Sequence, residues 1–67
     1  MDVRKRVGGN ARRLREKQGI SQEELADRAG LHRTYISGVE RGVRNPTVVV
    51  LQKIADALGV ELSTLTR

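Results

Sequence analysis

Four of the seven glycines divide the sequence into short stretches of helical periodicity, and this spacing constrains the fold most. They are Gly19, Gly30, Gly42 and Gly59. Each closely follows a stretch in which apolar residues recur at every third or fourth position, and a glycine placed there is typical of a helix end. The sequence therefore predicts short α-helices, packed together as a single domain over residues 1–67.

The first stretch is the least regular, because two glycines interrupt it. Its apolar side consists of Val3, Val7, Ala11 and Leu14. Gly8 and Gly9 lie among them, and a glycine inside a helix costs about 1 kcal/mol relative to alanine. Two explanations stay open at this point: the helix begins near Gly9, or one glycine allows a neighbouring helix to approach closely.

The second and third stretches have clearer ends. Ser21-Gln22-Glu23-Glu24 has the pattern of a capping box, in which the Ser21 hydroxyl caps a backbone amide and Glu24 reaches back to the Ser21 amide. A third helix is predicted from His32 or Arg33 to Glu40. The residues predicted to point into the core from these helices and the turn between them are Leu25, Ala26, Ala29, Leu31, Ile36 and Val39.

Three consecutive valines, Val48 to Val50, favour a β-strand by local propensity. We predict a helix instead, because Thr47 can cap its start and a three-residue strand would have no partner in this chain. Apolar residues also continue at helical spacing as far as Gly59, namely Leu51, Ile54, Ala55 and Leu58. A short fifth helix over residues 62–66 completes the prediction of an all-α fold with five helices.

The net charge and the lack of long apolar segments limit the classes of function that fit this sequence. Lys and Arg number 13 against 8 acidic residues, giving a net charge of +5. This excess is typical of nucleic-acid binders, although a basic protein without such a partner has the same charge. No apolar run approaches the ~18 residues that a membrane span requires, and no apolar segment follows the charged N-terminus as in a signal peptide. We therefore expect a cytoplasmic protein with no membrane partner.

Residue types needed for catalysis or for cofactor binding are scarce. The sequence has no cysteine and one histidine. It also lacks a glycine-rich phosphate loop and a clear carboxylate pair, which argues against an enzyme. A histidine without cysteine or histidine companions does not make a zinc site. We expect no metal, no cofactor and no small-molecule ligand.

Residues 22–41, QEELADRAGLHRTYISGVER, contain two predicted short helices joined by a turn at Gly30. Ala26 is small where the two helices must cross, and Gly30 can adopt the positive φ that a sharp turn needs. Two helices held at such an angle can place one across a phosphate backbone and the other in a major groove of DNA. The segment therefore predicts a helix-turn-helix motif.

Four segments resemble the Cro and lambda-repressor-like family, also called the XRE family, in the same order: GISQEELADRAGL, YISGVERG, RNPT and LQKIADALGV. The resemblance covers roughly residues 7–62. It implies a compact five-helix lambda-repressor-like domain with the helix-turn-helix at helices 2 and 3. It also implies a homodimer that binds double-stranded DNA at a (pseudo)palindromic operator as a repressor or autoregulator. LHRTYISGVERGVRNPT is in addition similar to restriction–modification controller proteins, which can activate as well as repress.

The resemblance places four residues at positions that face the DNA groove: Arg33, Thr34, Ser37 and Gly38. Arg33 can donate two parallel hydrogen bonds to guanine O6 and N7. Thr34 and Ser37 can contact either a base or a phosphate. Gly38 departs from the family, in which a longer polar side chain often reads a base. It either allows a closer approach of the backbone or leaves the reading of bases to its neighbours.

A second set of residues is expected to contact the sugar–phosphate backbone. Gln22 resembles the family's phosphate-contacting glutamine at the start of the first motif helix. His32 and Tyr35 have structural interpretations as well, as a helix-start residue and as a packing residue. The full set is Gln22, His32, Tyr35, Arg41, Arg44, Asn45, Arg12 and Arg13. Glu23, Glu24 and Asp27 are expected to face away from the DNA.

Two further predictions concern structural contacts: an ion pair within the domain and an interface between two copies. The family commonly pairs an arginine of the first helix with the glutamate that ends the recognition helix. Arg15 and Glu40 match those positions and predict a partly buried bidentate ion pair. Val60, Leu62 and Leu65 are the candidate dimer interface, unless they only complete the monomer core. The main alternative function is a protein-interaction module of the same fold, such as an antitoxin that binds a partner protein.

Overall fold

The computed structural model describes residues 2–67 and contains five α-helices in that range. They are α1 (Val3–Lys17), α2 (Gln22–Ala29), α3 (Arg33–Glu40), α4 (Val48–Leu58) and α5 (Leu62–Thr66). No strand occurs within residues 2–67. The predicted all-α fold with five helices is confirmed.

α1 is continuous through both of its glycines. Its first turn is capped by Asp2, whose carboxylate accepts a hydrogen bond from the Arg4 amide at 2.9 Å. Gly8 is buried, and a Cβ at this position would overlap the carbonyl oxygen of Val39 in α3. Gly9 has open space around it. Of the two explanations left open by the sequence, the close approach of a neighbouring helix is therefore the right one, and Gly8 is the residue that allows it.

The predicted cap of α2 is half observed. The Ser21 hydroxyl accepts from the Glu24 amide at 3.0 Å. The Glu24 carboxylate accepts from Arg28 Nε at 2.9 Å, one turn along the same helix, and so points away from the Ser21 amide. The helix start is thus held by the serine, while the glutamate makes an exposed ion pair.

The valine run forms the first turn of α4, as predicted. Thr47 caps this helix through its hydroxyl, which accepts from the Val50 amide at 3.2 Å. Further along, Ile54, Ala55 and Leu58 are buried. The packing of these residues outweighs the strand propensity of the valines, because β-propensity reflects a sheet environment that the chain does not offer.

The core lies between the helix-turn-helix segment on one side and α1, α4 and α5 on the other. Its largest fully buried side chains are Leu25, Ile36, Ile54, Leu65 and Val39. Side-chain amides fasten the outer helices to one another. Asn10 of α1 is buried and donates to the Leu65 carbonyl at 2.8 Å, and Gln18 donates to the Leu58 carbonyl at 2.7 Å. These bonds satisfy carbonyls at the ends of α4 and α5.

Within residues 2–67, no helix combines the length and the apolar character that a bilayer crossing demands. The longest helix, α1, has 15 residues and carries arginines and lysines along its exposed side.

Candidate nucleic-acid interface

The corner between α2 and α3 is built by a glycine in the left-handed region. Gly30 has φ 69° and ψ 34° and caps α2. The Leu31 amide then donates back to the Ala26 carbonyl at 2.9 Å, which closes the turn. Leu31 packs against the core while His32 precedes the first turn of α3. A surface helix held at a fixed angle by such a corner is the arrangement of a helix-turn-helix motif.

α3 has one buried side and one outward side. Ile36 and Val39 are each 1% exposed. Arg33 and Thr34 are exposed and Ser37 is half-buried. Together with Gln22 of α2, these three residues line one shallow depression on the surface. The structure therefore brings the predicted groove-facing residues together with the predicted phosphate-contacting glutamine.

A charged network is linked to this depression through Gln22. Arg15 Nε donates to Glu40 Oε2 at 2.7 Å and Arg15 Nη2 donates to Glu40 Oε1 at 3.0 Å. Arg15 Nη1 also donates to the Ile20 carbonyl at 2.8 Å. The exposed fractions of the two side chains are 12% and 2%. The structure contains the bidentate pair that the sequence predicts, and it joins the end of α3 to α1.

Gln22 belongs to the same network. Its Nε2 donates to Glu40 Oε1 at 3.1 Å, which fixes the orientation of the amide at the start of α2. Glu40 thereby accepts hydrogen bonds from two helices while it ends a third. Hydrogen bonding to the Glu40 carboxylate raises the pKa of Arg15.

Gly38 is placed differently from the prediction. It is buried, and a Cβ there would lie 2.5 Å from Arg44 Cγ. The Arg44 side chain thus covers Gly38, with its guanidinium carbon 5.9 Å from the centre of the Tyr35 ring. Gly38 therefore lies on the same side of α3 as Thr34 but is covered by Arg44 in this arrangement, so we assign it no direct base contact. Tyr35, half-buried beside it, packs against the core.

The remaining predicted backbone contacts divide into two groups. His32, Arg41, Arg44 and Asn45 are exposed at the two ends of α3. Arg12 lies four residues after Gly8 and three before Arg15, on the side of α1 that faces α3. Arg13 instead donates to Asn10 Oδ1, on the side that contacts α5. Arg12 is exposed and its Nε donates to Glu16 Oε2 at 3.2 Å, within α1. The hydrogen bond to Asn10 directs Arg13 toward α5 instead.

The three acidic residues of α2 differ in their positions. Glu23 lines a second depression, which adjoins the first and shares Gln22 and Arg33 with it. Glu24 and Asp27 are exposed on α2 and neither lines these depressions. Glu23 thus lies closer to the proposed contact surface than the other two, and the expectation that all three face away from the DNA stays a prediction. No group of three His, Cys, Asp or Glu residues suited to a metal occurs within residues 2–67.

The three candidate dimer residues differ in how far they are exposed to solvent. Val60 and Leu62 are half-buried, whereas Leu65 is 0% exposed and belongs to the core of the monomer. Leu65 has no surface to offer a second copy, so its assignment to the interface is wrong. Sequence reasoning missed Val48 and Val49, which are 68% and 66% exposed. The unbroken run of apolar residues from Val48 to Leu51 was the available signal, since one helix face cannot bury all four.

The comparisons with known proteins agree with this geometry. The family model described as Helix-turn-helix, HTH_3, matches residues 12–65. The chain is 53% identical over 60 residues to an uncharacterized HTH-type transcriptional regulator, y4dJ of Sinorhizobium fredii, over 90% of this chain and 78% of that protein. The chain belongs to the helix-turn-helix family HTH_3, a family of DNA-binding transcriptional regulators and not of enzymes.

Solved structures of two controller proteins are also similar. The restriction–modification controller protein C.AhdI from Aeromonas hydrophila matches with a TM-score of 0.90 and 45% identity, over 92% of this chain and 94% of that one. C.Esp1396I, solved as a tetramer in complex with its natural 35 base-pair operator, matches with a TM-score of 0.89 and 35% identity. That match covers 97% of this chain and 86% of the other.

Proposed function

We propose that this chain regulates transcription by binding a (pseudo)palindromic operator as a homodimer, with α3 in the major groove. The observation that carries the proposal is the outward row of Arg33, Thr34 and Ser37 on a helix whose opposite side is locked into the core. A helix held this rigidly presents its polar side chains at fixed positions, which the readout of base edges requires.

The individual roles follow from the chemistry of each side chain. Arg33 is the main candidate for direct readout, because its fork of donors matches guanine O6 and N7. Thr34 and Ser37 stand beside it and can contact a thymine methyl group or a phosphate. Gln22 keeps one hydrogen of its amide nitrogen after bonding Glu40, and that hydrogen suits a phosphate oxygen.

Further phosphate contacts come from cations and polar groups around the two ends of α3. They are His32, Arg41, Arg44 and Asn45, and Arg12 of α1 is added to this set. Phosphate contacts fix the register of a protein on DNA without reading its sequence. We exclude Arg13 and Gly38 from the proposed contacts, since the first points toward α5 and the second is covered.

The size of the protein fits a dimer on adjacent half-sites. The longest dimension is 29 Å, while half-sites one helical turn apart are separated by about 34 Å. Two copies side by side can therefore place their α3 helices in successive major grooves. Val60 and Leu62 remain the proposed interface, with the exposed pair Val48 and Val49 as the competing surface.

The relatives support a regulatory role for this binding. C.Esp1396I is a restriction–modification controller protein bound to an operator. By analogy we propose that this chain also controls a promoter, as a repressor or an autoregulator, in the cytoplasm where such DNA is located.

Selection of bound sites from random duplex DNA, followed by titration across salt, tests the proposal. If the dimer contacts about 6–10 phosphates, its affinity is expected to fall roughly 10³–10⁵-fold between 50 and 200 mM salt. Arg33→Ala is expected to cost about 1–3 kcal/mol and to relax the preference at one base pair per half-site. Lys17→Ala removes the same charge from an exposed position at the end of α1 that lines neither depression, and it is the matched control.

A selection that recovers no duplex above background would overturn the proposal as a whole. An unchanged preferred site with Arg33→Ala would remove Arg33 from the base contacts.

The substitutions Leu62→Glu and Val49→Glu distinguish the two candidate dimer interfaces. The oligomeric state of each variant is measured by sedimentation of the free protein. Dissociation by the first alone supports the predicted interface, and dissociation by the second alone moves the interface to the start of α4.

A further inference from the structure

Gly38 is buried although it adjoins the exposed side of α3. A Cβ built at this glycine would meet three atoms of one side chain: Arg44 Cγ at 2.5 Å, Nε at 3.4 Å and Cδ at 3.5 Å. Real Cβ atoms do not approach another carbon that closely. The missing side chain of Gly38 is therefore what lets Arg44 lie flat against the helix.

Two further contacts hold Arg44 in the same place. The Gly38 carbonyl accepts hydrogen bonds from the Val43 amide at 3.0 Å and from the Arg44 amide at 3.2 Å. At the other end of the side chain, the guanidinium carbon lies 5.9 Å from the centre of the Tyr35 ring, within the range of a cation–π attraction. The backbone and the aliphatic part of the Arg44 side chain thus contact Gly38, and the guanidinium group contacts the Tyr35 ring.

This placement extends the proposed contact surface. Gly38 follows Thr34 by four residues, so it lies one turn further along the same side of α3. An arginine lying over Gly38 carries its positive charge along the edge of the outward row formed by Arg33, Thr34 and Ser37. A side chain that is already held in position also loses less rotamer freedom when it binds.

We propose that Gly38 is a positioning residue for DNA binding, which holds Arg44 flat along α3 so that the guanidinium meets a phosphate at the edge of the major groove. Gly38 itself touches no nucleotide in this arrangement. The inference rests on the proposed function, because the ligand is the operator DNA that α3 contacts.

A double-mutant cycle tests the coupling between the two residues. The affinities of the wild type, Gly38→Ala, Arg44→Ala and the double variant are measured on the selected operator across salt. Each single substitution is expected to weaken binding about tenfold and to lower the salt slope by about 1. The double variant is expected to bind no more weakly than Arg44→Ala, because the alanine acts only through the arginine.

Gly9→Ala is the matched control. It is the same substitution inside a helix, at a position where an added Cβ has no atom within 4 Å. Gly9→Ala is expected to hold or raise the melting temperature, because it adds only helix propensity. Gly38→Ala adds the same propensity but must displace the exposed Arg44 side chain, so its melting temperature is expected to stay close to that of the wild type. Only Gly38→Ala is expected to lose affinity, and a purely structural role of Gly38 does not produce a loss of binding in an equally stable protein.

Wild-type affinity for Gly38→Ala would overturn the inference. So would a loss of the same size whether or not Arg44 is present, since the alanine would then obstruct the DNA directly. If the wild type selects no DNA, the proposed function fails, and the positioning is judged on the free protein by nuclear Overhauser effects. Contacts from the Arg44 side chain to the Gly38 α-protons support it there, and their absence in the wild type overturns it.

Discussion

The same pairing of arginine with glutamate occurs in two settings in this molecule. Arg15 and Glu40 join two helices and are 12% and 2% exposed. Arg28 and Glu24 lie one turn apart on α2 and are 43% and 49% exposed. The first pair loses its water and must satisfy its polar atoms inside the protein, which Ile20 and Gln22 help it to do. The second remains hydrated and is screened by salt.

The difference shows where charge shapes the fold. A buried pair is costly to break because the remaining partner is left uncompensated, although forming it gains little over an apolar contact. An exposed pair within one helix can be lost with little effect. We therefore expect the orientation of α3 to depend on Arg15 and Glu40, and the acidic side of α2 to be dispensable for folding.

Glu40→Ala is expected to have the largest effect, a loss of about 3–5 kcal/mol in the free energy of unfolding. It removes the acceptor of Arg15 and of Gln22 together and leaves the guanidinium without its partner. Urea denaturation monitored by circular dichroism measures this loss in the free energy of unfolding. Glu40→Gln keeps an acceptor without the charge and is expected to fall in between. A melting curve identical to that of the wild type would contradict a structural role for the pair.

Arg15→Lys is expected to have an intermediate effect, a loss of about 1–2 kcal/mol. The charge stays, but an ammonium group cannot donate to both Glu40 oxygens and to the Ile20 carbonyl with the geometry of the guanidinium fork. The same denaturation experiment measures it. Stability equal to the wild type would show that charge alone suffices and that the bidentate geometry is unimportant.

Glu24→Gln is expected to have the smallest effect, at most about 0.5 kcal/mol at low salt. It removes the ion pair with Arg28 while keeping a side chain of the same shape, and the Ser21 cap remains. The comparison with Glu40→Gln in 1 M salt sharpens the contrast, because screening should abolish the effect at Glu24 and leave that at Glu40. A loss at Glu24 as large as that at Glu40 would erase the distinction between the two settings.

The helices were predictable from sequence because their signals are local. The cap at Thr47, the glycine at Gly59 and the apolar spacing between them identify α4 despite the valine run. The Arg15–Glu40 pair was predictable only through the family resemblance, since 25 residues separate its partners. Periodicity alone indicates which side of a helix is buried but does not identify the partner of a charged residue.

What the sequence did not predict depends on distant neighbours. Gly38 was assigned to the open groove, yet it is buried by Arg44, whose path depends on the loop between α3 and α4. Leu65 was assigned to an interface, yet the monomer buries it completely. For Gly8 the sequence left two explanations open, because the approach of α3 to within contact of a bare backbone is a tertiary feature.

The contact at Gly8 also bears on how fast complexes form and separate. Because α1 and α3 meet there backbone to backbone, we expect the position of α3 to be fixed before the protein meets its target. Binding to DNA then costs α3 little conformational entropy. Correct and incorrect sites are consequently expected to capture the protein at similar rates and to differ mainly in how long they retain it.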